Sequence, residues 1–160
     1  MCVRGGYPSA DNKRNADAPK LNWTRDVFTR LANHTDTHKA TSVGHDLITH
    51  YHDVLQALGR QGDRDTAAVR MGLERYGPFF CERAEHAGLP VLRVEAGPQV
   101  WQSGDGEPVA VLTGSAFDLL RAFSGRRSAA QILSMDWTGD AEPYVSVVSP
   151  YGLPLEDVSE

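Results

Sequence analysis

The chain has 160 residues, enough for one domain or two small ones with a real core. Its 41 % hydrophobic and 23 % charged content is that of an ordinary globular protein, and a formal charge of −5 gives nucleic acid or an anionic membrane no electrostatic reason to bind. No apolar run is long enough to span a bilayer, MCVRGGYPSADNKRNADAPK contains no apolar h-region, and Cys2 and Cys81 make no disulfide framework, so a cytoplasmic protein is expected.

Residues 1–21 are rich in Gly, Asn, Asp, Pro and basic residues, have no hydrophobic period, and read as a disordered tail. Trp23 to Asn33 can form a short helix with Val27, Phe28 and Leu31 on one face, followed by a polar connection carrying His34, Asp36 and His38. Ser42 to Gly59, SVGHDLITHYHDVLQALG, is the strongest helical segment. Ser42 suits an N-cap and Gly59 a C-terminal stop, while Val43, Leu47, Tyr51, Val54 and Leu58 recur as a core stripe. Asp46, His50 and Asp53 form a second stripe beside it. On that wheel His50 faces inward with Asp46 one turn before it, and His45 and His52 face water.

A turn at Arg60 to Arg64 leads to a long helix over about 65–87, with Val69, Leu73, Tyr76, Phe80 and Ala84 at helical spacing. Cys81 lies among them as a small buried hydrophobe, and Gly77-Pro78 predicts a kink. After Gly88-Leu-Pro90 the character changes. Strands are expected at 91–95, 99–102 and 108–113, the first two joined through Gly97-Pro98. A helix follows from Ala116 to Phe123, with Phe117, Leu120 and Phe123 inward, and Gly125-Arg-Arg127 closes it. Ile132 to Thr138 reads as a fourth strand, with a helical turn as the alternative over 128–133. Glu142 to Val148 forms a final short helix, and residues 150–160 make a flexible tail. Trp23, Trp101 and Trp137 serve packing. The organisation is helical over 22–88 and α+β over 89–149.

Two groups of residues permit chemistry. Asp and His four apart on one helical face can bind the same divalent ion, and an imidazole with a carboxylate suits Zn²⁺. Asp46 and His50 have that spacing, Asp53 can orient His50 as an outer partner, and a third ligand must come from elsewhere, with His34 and His38 as candidates. The bland alternative is a structural hydrogen-bonded pair. Arg126 and Arg127 sit where a helix C-terminus favours cations, or where a guanidinium binds an anionic substrate.

Taken together, THYHDVLQALGR, VAVLTGSAFDLLRAFSGRRS and MDWTGD resemble, in order and spacing, motifs of the mycothiol-dependent maleylpyruvate isomerase-like family, over roughly residues 42–149. The resemblance implies a DinB-like helical bundle, here partial because its N-terminal helices have no counterpart, followed by a small sterol-carrier-protein-like α+β domain. It implies a divalent metal, usually zinc, at Asp46 and His50, and mycothiol as a thiol cosubstrate held as thiolate. Arg126, at the family's Gly-Arg position, would hold the carboxylates of a small electrophilic substrate. The reaction class would be cis–trans isomerisation or thiol transfer, and a homodimer would complete the bundle. A truncated, non-catalytic relative that binds a small ligand or a protein is the alternative.

Overall fold

A computed structural model describes residues 37–160 of the chain, with side chains from Val43 onward. The described residues form a mixed α+β protein of five helices and a four-stranded sheet. The helix expected at Trp23 to Asn33 and the tail at 1–21 lie outside them.

Helix α1 (Thr37–Ala57) starts earlier than its sequence pattern suggests, so Ser42 lies inside it rather than at its start. Its end is where a glycine stop belongs: Gly59 takes φ +62, and the Gly59 and Arg60 amides donate to the Gln56 and Leu55 carbonyls at 2.9 Å. The buried face differs from the expected stripe. Gly44, Ile48, Thr49 and His52 face inward, while Val43, Val54 and Leu58 are 53 %, 57 % and 63 % exposed. The helix is turned by roughly one residue step, about 100°. Close packing accompanies this rotation. A Cβ on Gly72 of the next helix would stand only 2.9 Å from the Ile48 side chain, so the bare backbone of Gly72 is what admits Ile48.

Helix α2 (Ala67–His86) is capped by Thr66, whose hydroxyl accepts from the Val69 amide at 3.1 Å. Val69, Leu73, Tyr76, Phe80 and Ala84 are all buried, as their spacing predicts, and the helical run continues through Pro78. The indole of Trp101 lies against Gly77, where a Cβ would approach it to 2.6 Å.

Strands β1 (Leu92–Ala96), β2 (Gln99–Gln102), β3 (Ala110–Thr113) and β4 (Asp136–Thr138) form one sheet in the order β2-β1-β3-β4. β1 pairs antiparallel with β2 and parallel with β3, and β3 pairs antiparallel with β4. Leu92, Val94 and Ala96 alternate inward along β1. Helix α3 (Ala116–Phe123) follows β3, capped by Ser115. The strand expected over 132–138 is shorter: its first residues belong to helix α4 (Ala129–Leu133), which Ser128 and Gln131 close in a reciprocal capping box. Helix α5 (Glu142–Val145) ends before Val148.

The change of character at Gly88 to Pro90 separates the two parts in sequence, yet Ile48, Leu73 and Phe80 share one buried cluster with Leu92, Leu112, Leu120 and Phe123. Arg83 ties the residues after α5 to α2 by donating to the Val147 and Val148 carbonyls at 2.7 and 2.6 Å. The segment after Pro150 is bonded to the body rather than hanging free. Gln131 exchanges two hydrogen bonds with the Val158 backbone, and Gln56 donates to the Ser159 carbonyl at 2.7 Å. Among the described residues no helix is long and apolar enough to cross a membrane.

The corrected face of α1 is testable by urea denaturation. Ile48→Ala should lower stability by about 2–5 kcal/mol, whereas Val54→Ala should change it by no more than about 0.5 kcal/mol.

Candidate functional site

The stripe Asp46, His50 and Asp53 comes together on α1 as its spacing predicts. Asp46 Oδ1 lies 3.4 Å from His50 Nε2, and Asp53 Oδ2 lies 3.2 Å from His50 Nδ1. Each ring nitrogen therefore faces a carboxylate, with Asp53 on the far nitrogen, where an orienting partner belongs. The expected inward orientation is corrected. The side chains of His50 and Asp46 are 58 % and 69 % exposed, while His52, expected in water, is 5 % exposed. The rotation of α1 exchanges the two histidines.

Asp53 is the hub of a larger network that sequence reading did not foresee. Its carboxylate receives Arg126 Nη2 at 2.8 Å and Nε at 3.4 Å, and Arg121 Nη2 at 2.8 Å. Burial pushes the Asp53 pKa upward, but the hydrogen bonds from Arg126 and Arg121 outweigh it, and the group ends below the usual carboxylate value. Arg126 also donates from Nη1 to the Ser124 carbonyl at 2.5 Å. Arg121 is fully buried, donates to the Thr49 carbonyl at 3.1 Å, and bridges Asp53 to the Glu160 carboxylate. Arg127 completes the group, 3.0 Å from Glu160 Oε2 and 3.5 Å from Asp118 Oδ1. A signal for Arg121 was present: an arginine inside AFDLLRAF, a helix apolar apart from Asp118 in its first turn, needs an anion when buried. Its partners are remote in the chain, and nothing local in sequence names them.

Beside this network lies a cavity of about 280 Å³ lined by His52, Arg60, Arg64, Phe117 and Glu160 among others. The His52 ring packs edge-on against Phe117 with centroids 4.8 Å apart, and the Arg64 guanidinium covers the same phenyl ring at 4.7 Å. Burial first, and then the Arg121 charge, lower the His52 pKa below 6.5. Cys81 is buried and its thiol is pushed up to about 12, chiefly by desolvation, which suits a packing residue and not a nucleophile.

Among the described residues no group of three or more His, Cys, Asp or Glu is arranged to hold a metal ion. His34 lies outside the described residues, as does the side chain of His38, so neither third-ligand candidate is placed. Comparison with known protein families, curated proteins and solved structures finds no match to this chain.

Two pH effects follow. Because the folded Asp53 pKa is depressed, its contribution is present above the ordinary value near 3.8 and is lost as pH falls through the folded value. Asp53→Asn should therefore cost about 3 kcal/mol at neutral pH, because Arg121 loses one of its two anions. In urea titrations this difference from wild type should shrink at strongly acid pH. His52 is held neutral, so wild-type stability should fall as pH drops below about 6.5, and His52→Gln should flatten that part of the profile.

Proposed function

We propose that the chain is a zinc-binding, thiol-dependent protein on the pattern of the maleylpyruvate isomerase-like family, with Asp46 and His50 as metal ligands. The observation that carries this reading is the bracketing of His50: Nε2 is turned to Asp46 while Asp53 takes Nδ1. A hydrogen bond from Nδ1 to a carboxylate fixes the tautomer that leaves Nε2 free to ligate. Arg126 fixes Asp53 in turn. With three of its five N–H groups engaged by Asp53 and the Ser124 carbonyl, Arg126 would offer the others to a substrate carboxylate. Bound zinc would supply a site where a small-molecule thiol such as mycothiol is held as thiolate, ready to add to a small electrophilic carboxylate. The exposure of the pair leaves room for ligands beyond α1 and for the thiol.

The helical pair α1 and α2 would represent half of a DinB-like bundle, and the sheet with α3 to α5 a sterol-carrier-like partner, in a cytoplasmic protein. The apolar side chains left outside on α1, Val43, Val54 and Leu58, support completion of the bundle by a second copy. A second reading, a non-catalytic module that binds a small ligand, is favoured by the cavity beside His52.

Zinc titration followed by elemental analysis separates the two readings. The first expects about one zinc per chain, lost in Asp46→Ala and His50→Ala, and held about 10–100-fold more weakly in Asp53→Asn. Folded wild-type protein that retains no zinc after dialysis at neutral pH would overturn it.

A further inference from the structure

Residues 157–160 occupy a groove between α1, α3 and α4 in the manner of a bound peptide. Gln131 reads the backbone of one residue from both sides, its Nε2 donating to the Val158 carbonyl at 2.9 Å and its Oε1 accepting from the Val158 amide at 3.0 Å. Gln56 donates to the next carbonyl, that of Ser159. Two acidic side chains flank this stretch: Asp157 accepts from the Ser128 hydroxyl, and the Glu160 carboxylate lies between Arg121 and Arg127.

Charge complementarity concentrates in the last of these contacts. Arg121, Arg126 and Arg127 face Asp53, Asp118 and Glu160, so removing Glu160 leaves three guanidinium groups against two carboxylates. Arg121 is wholly buried, and its Nε has no hydrogen-bond partner even with the tail in place. A buried cation left short of an anion recruits one. Between these contacts and the body the segment is less closely held: Leu155 is 102 % exposed and Gly152 turns the chain at φ +78, while Leu153 packs against the core.

We infer that this groove is a docking site for an acidic peptide segment with two acidic residues three apart, and that the chain's own Asp157 to Glu160 segment is its intramolecular competitor. The recognition elements are the Gln131 amide for the backbone and the Arg121–Arg127 pair for the second carboxylate. The site shares Arg121 with Asp53, the carboxylate that faces His50, but it needs no metal: peptide binding tests the one reading and zinc content the other.

The test uses the full chain and a fluorescein-labelled, C-terminally amidated peptide LEDVSE, followed by anisotropy at low salt. Weakening the internal competitor with Asp157→Asn and Glu160→Gln should tighten binding of the peptide at least tenfold relative to wild type. Adding Arg127→Ala or Gln131→Ala should reverse that gain. In the wild-type protein, which avoids any question of folding, excess unlabelled peptide should abolish the amide-exchange protection of Val158 as its own tail is displaced. Unchanged Val158 protection at saturating peptide, or equal peptide affinity in wild type and the double variant, would overturn the proposal. So would displacement of the peptide by millimolar succinate, which would show recognition of a carboxylate alone. Sedimentation showing that the variant trades tails within a dimer would equally overturn it in favour of a second copy.

Discussion

A single guanidinium with no exposure to water, that of Arg121, holds the arrangement together. It lies on α3, takes the Thr49 carbonyl from α1, and stands between Asp53 of α1 and Glu160 of the terminal segment. An unpaired buried charge is far more costly than a missing apolar contact, so the three elements that supply its partners are constrained to one relative position. The rotation of α1 fits this demand. To bring Asp53 to Arg121 and Thr49 to its second amino group, the helix presents Gly44, Ile48, Thr49 and His52 inward and leaves Val43, Val54 and Leu58 outside.

The same rotation marks the limit of what the sequence discloses. Where apolar periodicity alone determines burial, as along α2 from Val69 to Ala84 or β1 from Leu92 to Ala96, the buried residues are those the pattern names. Capping chemistry locates the turn after α1, because Gly59 acts through its own immediate backbone. On α1 the pattern misleads, since counting apolar residues ignores a polar inward face satisfied by distant groups. The spacing of Asp46, His50 and Asp53 was legible, because residues three and four apart meet on any helix regardless of its rotation. Their exposure was not, for that depends on which face a remote arginine demands. α4 shows a local version of the same competition: the Ser128–Gln131 capping box draws residues with strand character into a helical turn.

The candidate histidine is linked to the rest of the molecule through one carboxylate. Asp53 touches His50 on the outside of α1 and both Arg121 and Arg126 on the inside. The orientation of an exposed imidazole is thereby set by charges that are largely withdrawn from solvent and weakly screened by salt. An exposed pair that would otherwise sample many rotamers is thus fixed at one end, which is the preorganisation that ligation requires.

The bonds from Arg83 to the carbonyls of Val147 and Val148 span 64 and 65 positions of chain, and Arg121 reaches Thr49 across 72. Contacts of such separation close large loops before they return any stabilisation, which slows folding. During synthesis α1 and α2 therefore emerge from the ribosome well before the groups that fix their mutual register. Until α3 has been made, Asp53 lacks the Arg121 and Arg126 partners that lie on and just after that helix. A nascent chain paused before α3 would be the form most exposed to chaperones.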